Sequence, residues 1–204
     1  MTNLDRNREL TISGDFASVF DHEDHLAMLN SRDEAAVVLK AHLILEELLN
    51  VWTSKVTGAE DLFAGGFVPF KTKLNVSENL GLSPDLCKAL GKFNDVRNKY
   101  SHKRKYSADL QVIESLAASV DGAIPDLKIS RCCEFVINSS GVDASGIRHE
   151  VQHLWDTSEN GKKFLVILIV LVLKLTHWMQ NAFNARGVSY TLITSMPTHS
   201  QNGP

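Results

Sequence analysis

The densest helical pattern in the chain is AAVVLKAHLILEELLNVWTSKV, which follows SRDE at 31–34 and is apolar at 35, 38, 39, 45, 49 and 52. Apolar residues cover most of its circumference, so this helix is predicted to be central. SRDE places a serine three residues before a glutamate, the pattern of a capping box at the helix start. Before it, residues 1–14 read as a flexible arm and 15–29 as a short helix. After it, Gly58, Gly65, Gly66 and Pro69 mark a loop. A helix is predicted over 70–80, ending at Gly81. Ser83 and Pro84 then stand at the N-cap and first position of a helix running to about 102. Another helix is predicted over about 107–120, stopped by Asp121, Gly122 and Pro125.

The pattern changes at KISRCCEFVIN, 128–138, whose β-branched and apolar content predicts a strand. NSSGVDASG, 138–146, is turn-rich, and a long helix is predicted from about 161 to Arg186 and Gly187. VSYTLIT, 188–194, is a second strand candidate, positioned to pair with 128–138. Residues 196–204 read as a disordered tail. The sum is one domain over 15–195, a mostly all-α bundle with a small two-stranded β element near the C-terminal half.

FLVILIVLVL, 164–173, is ten uncharged apolar residues followed by Lys174. A membrane-spanning helix needs about 18 or more, so this segment is predicted to lie in the core or in a subunit interface. Its apolar girth exceeds one bundle stripe, which makes it the candidate surface of a homodimer.

Charge and cysteine content narrow the function classes. The 204 residues carry a net charge of −3, so any nucleic-acid contact must come from a local basic patch. Three cysteines, Cys87, Cys132 and the adjacent Cys133, form no CxxC pair, which argues against a disulfide framework or zinc knuckle. MTNLDRNRELTISGD has no apolar leader segment, and the expected location is cytoplasmic.

The stretch FNDVRNKYSH, 93–102, carries the candidate chemistry. On a helical wheel with Leu86 at zero, Arg97 falls at about +20°, inside the apolar stripe. A buried arginine keeps its charge, so it must meet an acid, a carbonyl or a phosphate. Glu46, at the border of the central helix's stripe, is the structural partner the sequence offers. Asn98 and His102 are four apart and share a different face. Arg97 and His102 are five apart, and converge only at a helix end or across a two-fold axis.

Arg97, Asn98 and His102 form an R-N-x-x-x-H motif near a helix end, within an ordered series of helices over about 25–185. This resembles the HEPN superfamily, in particular its mannitol-operon-repressor-like branch. The resemblance implies a helical bundle acting as a homodimer. It also implies a metal-independent endoribonuclease or RNA-binding effector, of toxin or defence type. In that reading His102 is the general acid or base, Arg97 binds the scissile phosphate, and Asn98 orients His102 or contacts phosphate. No cofactor is implied, and an antitoxin or regulatory protein is an implied partner. Other members are non-catalytic, so a regulator acting through protein contacts is the alternative. One toxin branch has tyrosine two residues after the histidine, where this chain has Arg104.

Between Lys88 and Tyr106 stand seven basic residues against the single acid Asp95. Lys92, Lys99, Lys103, Arg104 and Lys105 are the candidate nucleic-acid patch. The bland reading is that HKRK complements a helix C-terminus. A third reading comes from HEVQH, 149–153, which matches H-E-x-x-H. On a helix His149 and His153 would bind zinc with Glu150 as general base of a peptidase. Asp156 stands where the extended motif needs glycine, and the apolar helix offers no downstream glutamate as third ligand.

Overall fold

Two long helices run side by side at the centre of the computed structural model, which describes residues 11–142, 145–191 and 194–196. Helix α2 spans Glu34–Thr57 and helix α6 spans Asn160–Arg186. Each ends on a glycine in the left-handed region, Gly58 at φ 74° and Gly187 at φ 65°. That conformation costs a side-chain-bearing residue about 1–2 kcal/mol, and glycine almost nothing. Around this pair stand α1, His22–Asn30, α3, Phe70–Asn79, α4, Pro84–His102, and α5, Leu110–Gly122. Helix α1 lies on α6, α3 and α4 lie on α2, and α5 bridges α4 and α6. The fold is mostly helical, as predicted.

Helix α6 uses its apolar girth inside the chain. Phe164, Ile167, Leu168, Val170, Leu171, Leu175, Met179 and Phe183 are wholly buried, and only Leu173 is an exposed large apolar residue on this helix. The surface offered by sequence as a dimer interface is consumed by α1, α2 and α5. Helix α6 is long and apolar enough to cross a membrane, but it is mostly buried as a core helix. Its charged residues serve the bundle. Lys174, 3% exposed, donates to the carbonyls of Asp121 (2.7 Å) and Ala123 (2.6 Å), closing the C-terminus of α5. Arg186 donates to the Leu80 carbonyl (3.0 Å) at the end of α3 and lies over the Trp52 ring at 4.9 Å. Gly81 stands where that arginine passes. A Cβ there would lie 2.5 Å from Arg186 Nη2, and its φ of +92° is itself left-handed.

The start of α2 differs from the predicted capping box. Ser31 is not the cap: Asp33 is, its Oδ1 accepting from Ala35 N (2.9 Å) and Ala36 N (3.3 Å). Glu34 is thereby the first helical residue and reaches away from its own backbone. It accepts from the Tyr100 hydroxyl, from Ser107 Oγ (2.8 Å), from Ala108 N (3.2 Å) and from Asn160 Nδ2 (3.4 Å). Ser83 and Pro84 stand at the N-cap and first position of α4 as expected, though the serine hydroxyl makes no cap bond. The region 15–29 divides at Asp21, whose carboxylate caps α1 through Glu23 N (2.8 Å), after a short 3-10 turn at Ser18–Phe20.

The β content lies elsewhere than predicted. Within 128–138, Cys132–Glu134 form a 3-10 turn, with Cys132 buried and its N–H donated to Asp121 Oδ1 at 2.9 Å. The apolar residues there anchor a crossing segment to the core, so they produce no strand alternation. The hairpin instead joins β2, Ile137–Val142, to β3, Arg148–His153, antiparallel from Ile137↔His153 to Val142↔Arg148. The second pair joins β1, Thr11–Ser13, to β4, Thr194–Met196, so the expected arm to residue 14 is paired over its last few residues. The rest of that arm and of the tail expected at 196–204 lie outside the described residues.

Glu34→Ala is expected to cost about 2–3 kcal/mol, as hydrogen bonds to a charged acceptor are lost at a junction of helices. Asp33→Ala should cost about 1 kcal/mol, the worth of an N-cap. Ser31→Ala should cost less than either. Urea unfolding of the three variants checks the order, and a Ser31 loss as large as that of Asp33 would restore the capping box.

Candidate functional site

Helix α4 carries every residue of the R-N-x-x-x-H motif, but presents them on different sides. Its buried side is Leu86, Leu90, Phe93, Val96 and Tyr100. Arg97 lies at the edge of that side, half-buried. Its Nη1 donates to Asn98 Oδ1 at 3.2 Å, and its Nε is buried without a hydrogen-bond partner. The Arg97–Glu46 pair offered by the sequence does not form. Glu46 instead pairs with Lys73 at 2.9 Å, and Lys73 also donates to Asn50 Oδ1 at 3.1 Å. Helix α3, lying against α2, brings the competing cation closer.

His102, the last residue of α4, is exposed. It stands about 140° around the helix from Arg97. His102 lines a cavity of about 490 Å³ with Lys103, Arg104 and Lys105, walled by Tyr100 and Tyr106 and by Asp33 and Glu34 of α2. Arg97 and Asn98 are not among the residues lining that cavity. One copy of the chain therefore does not assemble the three motif residues in a single cleft.

Local structure shapes the cavity. Lys103 caps α4 through its N–H to the Lys99 carbonyl (3.0 Å), and Tyr106 N closes a turn on the Lys103 carbonyl (3.2 Å). Lys105 lies at the tip with φ 62°, a left-handed conformation without glycine. Such a residue is held there by its surroundings at a cost of about 1–3 kcal/mol. Tyr106 packs edge-on against Tyr100 at 4.8 Å, with Lys103 Nζ over its ring at 5.9 Å. Burial raises the Tyr100 phenol well above its ordinary pKa, and its bond to Glu34 raises it further.

The two carboxylates of the wall are both engaged. Asp33 caps α2, and Glu34 takes four internal donors. The exposed side chains facing the cavity include His102, Lys103, Arg104 and Lys105, with Asp33 of α2 opposite them, held by its cap bonds. The rest of the basic patch lies along α4. Lys99 is exposed, while Lys92 is held by Ser115, donating to its carbonyl (3.3 Å) and hydroxyl (3.4 Å).

HEVQH is strand, not helix, which removes the geometry of the zinc reading. His149 and His153 share one face of β3 and Glu150 points to the other. His153 bonds Ser139 Oγ at 3.1 Å across the hairpin. Among the described residues no group of three or more histidine, cysteine, aspartate or glutamate side chains is placed to hold a metal.

Sequence reasoning missed His42. It lies on the buried side of α2, 2% exposed, its ring against Phe70 at 4.3 Å and its Nε2 within 3.2 Å of Asn94 Oδ1. Burial lowers its pKa; the Asn94 bond opposes this, nearby Arg97 lowers it further, and Glu46 opposes. The signal was a histidine within the apolar spacing of the central helix. Comparison with protein-family models, curated proteins and solved structures finds no match.

Burial holds the His42 pKa below the unfolded value of 6.5. The unfolded chain therefore binds more protons as pH falls below about 6.5, and stability falls with it. His153, also lowered by burial, acts in the same direction. Thermal melts from pH 7.5 to 5.0 should show a falling Tm, with a shallower slope in His42→Gln. Equal slopes would remove His42 as the source.

Proposed function

We propose that this chain is an RNA-binding protein of the HEPN-like type, gripping the phosphate backbone in the cavity at the C-terminal end of α4. The observation that carries the reading is the cavity wall. Lys103, Arg104 and Lys105 supply its positive charge, and the two carboxylates beside them, Asp33 and Glu34, are oriented by donors within the chain. An anion with several oxygens fits such a wall, and a polyanion gains further from Lys92 and Lys99 along the helix. Tyr106, half-buried with a cation over its ring, offers an aromatic face at the same mouth.

His102 is the acid–base group of this reading. An exposed imidazole can accept and donate a proton at a reacting group, and cleavage of RNA at the 2′-hydroxyl needs no metal. Arg97 faces away from that cavity, so within this proposal a homodimer brings the Arg97 of one copy towards the His102 of the other. A second reading is a non-catalytic regulator acting through protein contacts. Leu43, 64% exposed on α2, and Phe67, 93% exposed in the loop before α3, favour it as apolar contact points.

Fluorescence anisotropy with a labelled single-stranded RNA, in EDTA and at several salt concentrations, tests the proposal. The triple variant Lys103→Gln, Arg104→Gln, Lys105→Gln should bind at least tenfold more weakly and lose about two units of salt slope, at about 0.7 per phosphate contact. His102→Ala should bind as wild type and leave the RNA intact where wild type cuts it. RNA bound equally by wild type and the triple variant would sink the cavity assignment, and no binding at all would give the regulator reading the lead.

A further inference from the structure

The hairpin of β2 and β3 stands apart from the helical core. Among the described residues the two strands pair with each other, and no third strand lies along the outer edge of either. Every residue from Arg148 to Gln152 is exposed, so β3 meets solvent on both faces. Only the base of the hairpin is held: Ile137, Ser139 and His153 are half-buried, and His153 bonds Ser139. A two-stranded hairpin is marginal in water and gains stability from further strands with an apolar face. Its open edge is a template for another strand.

The side chains of β3 say which strand fits. Arg148, Glu150 and Gln152 share one face, and His149, Val151 and His153 share the other. Ile147, directly ahead of the strand, continues the second set. Ile147 is 59% exposed and Val151 48%. Arg148 Nε lies 3.6 Å from Glu150 Oε1, with both side chains largely in solvent. Two copies meeting at this edge across a two-fold axis pair residues of one face about a single central residue. Centred on His149, Arg148 of each copy faces the partner's Glu150, and Ile147 faces the partner's Val151. Centred on Arg148 or on Glu150, the edge sets a charge against its own copy, which destabilises the pair. Centred on Val151, it sets His149 against His153 and leaves Arg148 and Glu150 facing Leu154 and Gln152. The outer edge of β2 offers no such code, since Asn138–Gly141 has neither a charge nor a large apolar side chain.

We propose that β3 is a self-recognition edge, through which two copies of this chain pair antiparallel about His149 into one four-stranded sheet, ordered β2-β3-β3-β2. On one face Arg148 and Glu150 of both copies form a ring of four alternating charges. On the other, Ile147 and Val151 of both copies gather into an apolar patch. That second face is the one turned towards the helices, because Ser139, Val151 and His153 line a cavity of about 340 Å³ with Asn30, Ser31 and Arg32 of the α1–α2 link. The contact uses the same strand of both copies, so pairing through β3 closes at two. The edge is short, which places the dimer among small, transient interfaces. It involves neither α4 nor the His102–Lys105 cavity, and holds whether or not RNA binds.

Sedimentation velocity of the full chain over a concentration series tests the pairing. Wild type should run as a monomer–dimer equilibrium. Arg148→Glu and Glu150→Arg each set like charges across the axis twice, and each should weaken self-association about tenfold. An equimolar mixture of the two variants should regain the wild-type dimer, because each then meets its opposite charge on the other chain. The double variant Arg148→Glu, Glu150→Arg should self-associate like wild type. Both residues are exposed, so the bundle should melt unchanged in every variant. A wild type that stays monomeric at millimolar loading would overturn the proposal. A dimer indifferent to both single variants, or losses that mixing does not repair, would overturn it as well.

Discussion

The fold turns on a single carboxylate at the first residue of α2. Glu34 receives the Tyr100 hydroxyl from α4, the Ser107 hydroxyl and Ala108 N–H ahead of α5, and the Asn160 amide at the start of α6. One anion thus joins four helices at one end of the bundle. Its position is favourable in itself, because the N-terminal end of a helix is electropositive. Asn160 adds a bond to the Ala108 carbonyl at 3.0 Å, and Ala108 N also reaches Tyr100 Oη at 3.0 Å, so the donors and acceptors there satisfy one another. Where α4 stops and how the basic turn 103–106 folds back are both set by this junction.

The other end of the bundle is held by the same logic with the signs reversed. The cations of α6 close the carbonyl ends of its neighbours, Lys174 on α5 and Arg186 on α3. Helix C-termini are electronegative and leave carbonyls unpaired, so the buried Lys174 finds acceptors there. Desolvation pulls the Lys174 pKa down, opposed by Asp121 and Cys132 nearby. Position 81 takes glycine because its φ of +92° is strained for any residue with a side chain.

These constraints bear on the site. The bundle ties Glu34 and Asp33 to internal donors, so the carboxylates beside the His102–Lys105 wall are held in fixed positions. By burying Arg97 partly towards α2, beside His42, it separates the arginine of the motif from the histidine. A short sequence pattern records neighbours along the chain, whereas a helix distributes them around its axis. Five residues along α4 are more than a turn, and the two side chains leave it in different directions.

The strongly periodic segments were legible in the sequence. The centrality of α2, the burial of α6 and the ends of both follow from apolar spacing and from Gly58 and Gly187, because those signals are local and unambiguous. The basic run 102–105 was legible for the same reason. Tertiary structure decided the rest, since each remaining choice was a competition among distant groups. Asp33 took the cap that Ser31 was expected to hold, which released Glu34 for partners more than 60 residues away. Lys73 reached Glu46 before Arg97 did. The strand signal at 128–138 went to anchoring Cys132 in the core, and HEVQH, periodic as either helix or strand, paired with 137–142 once the intervening turn brought the two together. Sequence determined which residues had to be buried or charged; only packing decided which of them would meet.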